Sequence, residues 1–396
     1  MRIPKKTLRR LALAAATLGG LGTATALGTG TATAATGVLG HVYVDDNTTG
    51  TNTVAVFARL GNGALVARPD SPVAVGGAGS GAGTGSQGSL QETPDGRYLL
   101  AVDAGSNQIS VLRIRANGDL TPVAGGPVSS GGFKPVSIAI DPVQGVLHGS
   151  DLVYVANAGA GGSNYTGFAL QPDGALRPLT GSTVALPDAA SPGDVLFNGS
   201  GTNLVGTRAG TEQIDSFAVA RNGLLTAAAG SPFAAQGPGP IGSEFRPTNP
   251  GQLFVSNAHG GTNNGTVSAF DVRHNGTLES IGASPFPDQQ TAPCWVEITH
   301  DGQYLFAVNT AVPSISSYAV ARDGTLTLLG STPLTRSGET GPVDARLTPD
   351  GRTLYVVDSG GLTVSAFAVH AGNLDELPSS PTALPTGTSP VGIVVN

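Results

Sequence analysis

The chain has 396 residues, 39% of them hydrophobic and 12% charged, with 20 basic against 27 acidic residues and a net charge of −7. That apolar content suffices for a core and excludes a disordered chain, while the acid excess disfavours nucleic acid and anionic lipid as partners. Gly 59 and Pro 28 suit an all-β protein with many turns, and a lone cysteine, Cys294, excludes an intrachain disulfide.

Residues 1–35 read as an export signal. Arg2, Lys5, Lys6, Arg9 and Arg10 form a basic start, Leu11 to Leu27 is apolar and rich in Ala and Leu, and Ala32-Thr33-Ala34 is a small-residue cleavage site. Arg9-Arg10 directly before the apolar run resembles a twin-arginine signal. An uncleaved anchor is the alternative, but Gly and Thr interrupt the run early. The leader carries five of the 20 basic residues and no acid, so the remainder holds 15 basic and 27 acidic residues, net −12, with Lys134 as its lysine. The expected location is extracytoplasmic, in a bacterial envelope or outside the cell, without membrane insertion after cleavage.

Residues 36–396 read as one repeat domain. From about Val38, a strand at His41 to Val44 leads to a second at Val54 to Ala58 and a Gly63-Ala64-Leu65 turn. The Gly-x-Leu turn recurs at Gly118, Gly174, Gly223, Gly276, Gly324 and Gly372, usually after Asn or Asp, which tolerate the positive φ of a tight hairpin. Strands at Ile109 to Ile114, Ile214 to Val219, Val267 to Val272, Ile315 to Val320 and Val364 to Val369 precede these turns, apolar or small on both faces. That pattern suits a sheet stacked between two others. Each has a strand before it, such as Leu99 to Val102 or Leu354 to Val357, entered through turns such as Pro94-Asp95-Gly96 and Pro349-Asp350-Gly351. A further strand stands before that turn, as at Val136 to Ile140 and Val343 to Leu347. Four strands per repeat of about 40 to 55 residues, without a helix, make a propeller blade rather than a solenoid coil. The predicted fold is therefore an all-β, seven-bladed β-propeller. The chain ends on Pro390 to Val395, which matches an innermost strand, and the first repeat lacks one, so the last strand is expected to complete blade 1 and close the ring.

No nucleophile elbow, His-Glu-x-x-His or Walker loop is present. Gly83-Thr84-Gly85-Ser86-Gln87-Gly88 matches Gly-x-Gly-x-x-Gly formally, but it lies in a Gly/Ser linker with no helix after it. The six histidines show no ligand spacing, so neither metal nor cofactor is expected. Two columns across the repeats carry more. Asp46, Asp103, Asn157, Thr207, Asn257, Asn309 and Asp358 end the second strands, as loop-shaping Asx turns or as a polar ring on one rim. Gln91, Ala139, Leu196, Glu244, Glu297, Arg346 and Val394 align on the innermost strands beside the axis, with Asp194 and Asp344 two positions earlier. Charges near a narrow axis must pair or meet channel water. Glu297 with Arg346 is either a structural ion pair or, with Glu244, a catalytic set in which Arg polarises a carbonyl and Glu acts as base.

The unit Leu347 to Asp358, continued by Val364 to Val369 and Gly372-Asn373-Leu374, resembles the lactonase family of seven-bladed propellers, which includes 6-phosphogluconolactonase and the carboxymuconate cycloisomerase. The resemblance spans residues 36–396 and implies hydrolysis or formation of a lactone without a redox cofactor. It also implies Gly-Pro-Arg-His at the start of one innermost strand and Asn-Glu-Leu after the next strand. Here those stretches read Gly239-Pro240-Ile241-Gly242 and Asn257-Ala258-His259, so the family's Arg, His and Glu are missing. Two readings follow. One is an exported lactonase-like enzyme with a relocated set, Glu244, Glu297 and Arg346 catalytic and Asp194, Asp344 and His259 binding. The other is a non-catalytic extracytoplasmic propeller that binds a small anion, a sugar or an envelope protein. A monomer is expected.

Overall fold

The computed structural model describes residues 37–334 and 341–396. The export signal expected at residues 1–35 lies outside them. Among the described residues the strands form seven antiparallel sheets in a ring, each running outward from an innermost strand. The innermost strands are Leu90–Glu92, Pro135–Ile140, Pro192–Phe197, Pro240–Arg246, Pro293–Ile298, Pro342–Leu347 and Gly392–Val395, in blades 2 to 7 and then blade 1. The predicted seven-bladed propeller is thus the fold. So is its closure: Val395, Val394, Ile393 and Gly392 pair antiparallel with Val42, Tyr43, Val44 and Asp45. This pairing removes the two free edges that an open ring would expose.

Five innermost strands begin with proline, followed by a register shift before the ladder resumes, as between Pro135 and Ser137 or Pro342 and Asp344. Proline has no N–H to give, so the first position of a strand is where it costs least. The second strands lie between neighbouring sheets and see no water on either face; Leu152, Val153, Tyr154, Val155 and Ala156 are fully buried.

The Gly-x-Leu glycines all adopt positive φ, for example 80° at Gly63 and 92° at Gly174, where an added side chain would be strained. The preceding Asx oxygen accepts the N–H two residues on, as from Ala64 to Asn62 Oδ1 at 3.1 Å. These turns also join the blades. Tyr43 of blade 1 donates its hydroxyl to the Gly118 carbonyl of blade 2 at 2.9 Å, Tyr154 of blade 3 to Gly223 at 2.8 Å, and Tyr355 of blade 7 to Gly63 at 2.9 Å. The buried tyrosine hydroxyl is satisfied, and the outer end of each such turn is held against its neighbour.

An outer device was not read from the sequence. Ser71, Ser231, Ser284 and Ser380, each before a proline, accept through Oγ the N–H of Val56, Ser216, Ala269 and Ala366 on the third strands. The hydroxyl occupies the break between two short outer pieces, where the ladder has no carbonyl to offer.

Candidate functional site

Successive side chains on a strand alternate faces, so residues two apart on an innermost strand share the side toward the axis. The predicted axial column is one ring. Gln91, Ala139, Leu196, Glu244, Glu297, Arg346 and Val394 stand opposite equivalent second-strand residues, namely Leu100, Tyr154, Val205, Phe254, Phe306, Tyr355 and Tyr43. Asp194 and Asp344 occupy the ring above.

Glu297 is 5% exposed and uses both oxygens. Oε1 accepts the Leu347 N–H at 2.9 Å, and Oε2 faces Arg346 Nη1 at 3.3 Å, so blades 6 and 7 are tied at this level. Burial pushes Glu297 up, and the Arg346 charge and the Leu347 N–H pull it only part of the way back. Glu244 keeps partial exposure. Burial, and then the negative charge of Glu297, push it up to about 8, so at neutral pH it is largely protonated. Asp344 is pushed by burial up to about 7; Oδ1 accepts the Ala345 N–H at 2.8 Å, and Oδ2 is buried with no hydrogen-bond partner. Asp194, at about 6 through burial, is saturated by Ser137 Oγ on one side and by the N–H and Oγ of Ser243 on the other, linking blades 3, 4 and 5. Burial pulls Arg346 down, but Glu297, Asp344, Glu244 and Asp194 outweigh it and hold the guanidinium above its ordinary value. One guanidinium therefore shares the axis with four carboxyl groups, each pushed up by burial.

The stretch read as a linker closes one end of this chamber. Ser86 and Gln87 are buried at the axis, at the end where the innermost strands begin. The Gln87 amide donates to the carbonyls of Ser243 at 3.1 Å and Val296 at 3.2 Å, and its Oε1 accepts the Val296 N–H at 3.1 Å. Its backbone N–H reaches Gly193 O, and Trp295 donates Nε1–H to Ser86 O at 2.6 Å. A loop entering blade 2 thus bonds to blades 4, 5 and 6. Gly242 makes room for it, because a Cβ there would collide with Gln87 Oε1 and fall 2.7 Å from the Cys294 carbonyl. Glycine and serine predominate in the stretch because it threads a crowded axis. Gln91, Leu196, Glu244 and Arg346 keep partial exposure beside the axis.

His259 is not brought to this set. It is exposed on the loop after the second strand of blade 5, and its ring packs over Gly239. Gly239 and Glu244 are five residues apart on extended chain, about 16 Å, and the Gln87 plug meets the strand between them.

The Asx column lies buried rather than on an open rim: Asp46, Asp103, Asn157, Asn257, Asn309 and Asp358 are at most 1% exposed. Several bond across to the third strand of the same blade, as Asp103 to Ser110 at 2.6 Å, Asn257 to Ser268 at 2.8 Å and Asn309 to Ser316 at 2.9 Å. In blade 4 the pairing places Arg208, not Thr207, at this position, because Arg208 stands opposite Pro192 as Asn157 stands opposite Pro135. Arg208 is ion-paired with Asp215 at 2.5 Å, and Tyr165 donates to the same carboxylate at 3.0 Å. Cys294 is buried, and burial pushes its thiol up to about 11, so it is no nucleophile at neutral pH. Among the described residues no cluster of His, Cys, Asp and Glu is placed to hold a metal ion, and no helix is long and apolar enough to cross a membrane.

Chemically, the chamber offers a guanidinium, a carboxylate hydrogen-bonded to it and a protonated carboxyl on three adjacent blades. Residues 202–391, from the second strand of blade 4 through blade 7, match the family model described as Lactonase, 7-bladed beta-propeller. The lactonase-family resemblance read from the sequence is borne out. Among solved structures, a candidate 6-phosphogluconolactonase from Bacteroides uniformis is similar at 20% identity and a TM-score of 0.70, covering 89% of this chain and 98% of that one. The periplasmic gluconolactonase of Pseudomonas aeruginosa is similar at 18% identity and a TM-score of 0.69, covering 90% and 98%. A Lactobacillus plantarum protein gives 18%, 0.70, 89% and 98%. At such identities the likeness is one of fold. No curated protein matches the chain.

Proposed function

We propose that the chain is an exported lactonase-like enzyme that opens a lactone ring in its axial chamber, with Glu244, Glu297 and Arg346 in place of the family's missing Arg, His and Glu. The observation that carries this reading is the Arg346–Glu297 pair beside Glu244 in one ring of the axis, where burial and the Glu297 charge push Glu244 up to about 8. Arg346 draws charge from the lactone carbonyl oxygen and stabilises the oxyanion. Glu297 takes a proton from the attacking water, whose oxygen bonds to the carbonyl carbon. The ring C–O bond breaks and its oxygen takes the proton held by Glu244, leaving a hydroxy acid. Activity is then lost as pH rises through about 8, where Glu244 gives up its proton, and at the acid end, where Glu297 takes one up.

A second reading is favoured by one observation: both Glu297 oxygens are already bonded within the protein. On that reading the axial charges tie blades together, and the protein is a non-catalytic extracytoplasmic module that binds a small anion, a sugar or a protein. Acid release from a panel of sugar and aliphatic lactones, with Glu297→Ala and Glu244→Gln alongside, separates the two. Release that vanishes in both variants supports the enzyme; release equal in variants and wild type, or none from any lactone, overturns it.

A further inference from the structure

We infer that Gln87 is a positioning residue for the two axial glutamates: its amide clamps the peptide units that lead into Glu244 and Glu297 and so fixes the spacing of their carboxyls. This deepens the reading proposed above and rests on it. An innermost strand pairs on one side only, so alternate residues turn both N–H and C=O toward the axis and must find partners there. Val296 finds them in Gln87: its N–H donates to Gln87 Oε1 at 3.1 Å, and its carbonyl accepts from Gln87 Nε2 at 3.2 Å. The same Nε2 donates to the Ser243 carbonyl at 3.1 Å. These two carbonyls belong to the peptide bonds that join Val296 to Glu297 and Ser243 to Glu244. Carbonyls held by the two N–H of one planar amide lie about 5.5 Å apart, so one side chain sets the distance between the main chains at both glutamates.

The clamp is separable from the fold. The loop that carries Gln87 is anchored beside it, by the Trp295 indole on Ser86 O and by Ser86 Oγ, which donates to the Val136 carbonyl at 2.8 Å. Blades 5 and 6 are joined without it, through Ser256 Oγ on the Cys294 carbonyl at 2.9 Å. Asp194 holds Ser243 by its N–H and Oγ, which leaves the carbonyl next to Glu244 to Gln87. The spacing matters because Glu244 faces Glu297, Arg346, Asp194 and Asp344, and after burial the Glu297 charge does most to push it up. Repulsion between carboxylates falls with separation. Unclamped, the two like-charged groups spread, and Glu244 holds its proton less tightly.

The test is an NMR titration of isotope-labelled glutamate and aspartate carboxyls, with Glu244→Gln and Asp344→Asn to assign the two signals, in wild type and in Gln87→Met, which fills the same space without the hydrogen bonds. In Gln87→Met the proton affinity of Glu244 is expected to fall about tenfold or more, and the alkaline loss of acid release from glucono-1,5-lactone to move down in pH with it. An unchanged Glu244 titration in folded Gln87→Met would overturn the inference. So would an equal fall at Asp344, whose recorded hydrogen bond is to the Ala345 N–H and not to Gln87, since that is the signature of a wetter axis rather than of a lost clamp. No acid release by the wild type overturns the catalytic reading; a Glu244 titration that Gln87→Met moves would then still support the clamp. Should Gln87→Met fail to fold, Gln87→Asn, which keeps the amide and shortens its reach by one methylene, carries the same test with the same outcomes.

Discussion

Replacing Glu297 with alanine tests how the axial charges are held. The substitution strands the buried Leu347 N–H, which costs about 1–3 kcal/mol, and removes the nearest anion from Arg346. Breaking a buried pair outright costs about 3–5 kcal/mol. Here the guanidinium also feels Asp344, Glu244 and Asp194. Asp344 and Glu244 are both pushed up partly by the Glu297 charge, so its removal lets them ionise and neutralise Arg346 in its place. The net loss is expected at about 1–3 kcal/mol. With about 2.1 cal/mol/K of unfolding entropy per residue over a propeller of roughly 360 residues, this is a fall in Tm of about 1–4 °C. Scanning calorimetry with Trp295 fluorescence measures it. Glu297→Gln keeps an acceptor for Leu347 and is expected to lose less. A fall beyond about 6 °C, or equal damage from both variants, would refute the argument that the other carboxyls substitute for Glu297.

Three further outcomes follow from the geometry. Asp194, Asp344 and Glu244 sit at about 6, 7 and 8, so the folded protein holds protons that an unfolded chain, with carboxyls near ~4, has released; that stability is full below about pH 4 and is lost as pH rises through 6 to 8, and Tm is expected to be lower at pH 8.5 than at pH 5.5, where a flat or rising Tm would count against it. Deleting residues 388–396 removes the buried Val391, Ile393, Val394 and Val395, about 1.5–3 kcal/mol each, a sum comparable to the stability of a whole domain of about 5–15 kcal/mol; the shortened protein should fail to fold cooperatively, and an unchanged melting profile would contradict the closure. Gly242→Ala places a methyl against Gln87 and should displace the plug, lowering Tm and raising the exposure of Trp295 to acrylamide quenching; unchanged quenching would show that the plug does not depend on that space.

The blade pattern was legible because each element answers to a local rule. A Gly at positive φ after Asn or Asp announces a hairpin wherever it falls, and a short strand apolar on both faces announces burial between sheets. Repetition of those rules seven times left one ring size. Where a position depends on a bulge, counting residues failed: in blade 4 the column residue is Arg208 rather than Thr207, since the pairing sets the register after Pro192. The Ser-Pro device on the outer edges was visible as letters, but it acquires meaning only when the serine faces a third-strand N–H fifteen residues back in three blades and fourteen in the fourth.

The sequence alone determined the fold, the closure of the ring and the membership of the axial column, because hairpin chemistry and period-two alternation act over a few residues and the repeat transmits them around the circle. Only the tertiary structure decided what that column can do. Gln87 is 209 residues from Val296 in the chain, and nothing local indicates that a Gly/Ser-rich loop reaches the axis and bonds there to three other blades. The protonation of Glu244 and Asp344 is likewise set by burial and by carboxyls from other blades, and the separation of His259 from the set by the length of one strand. Contacts of that kind depend on where seven strands converge, which no single repeat encodes.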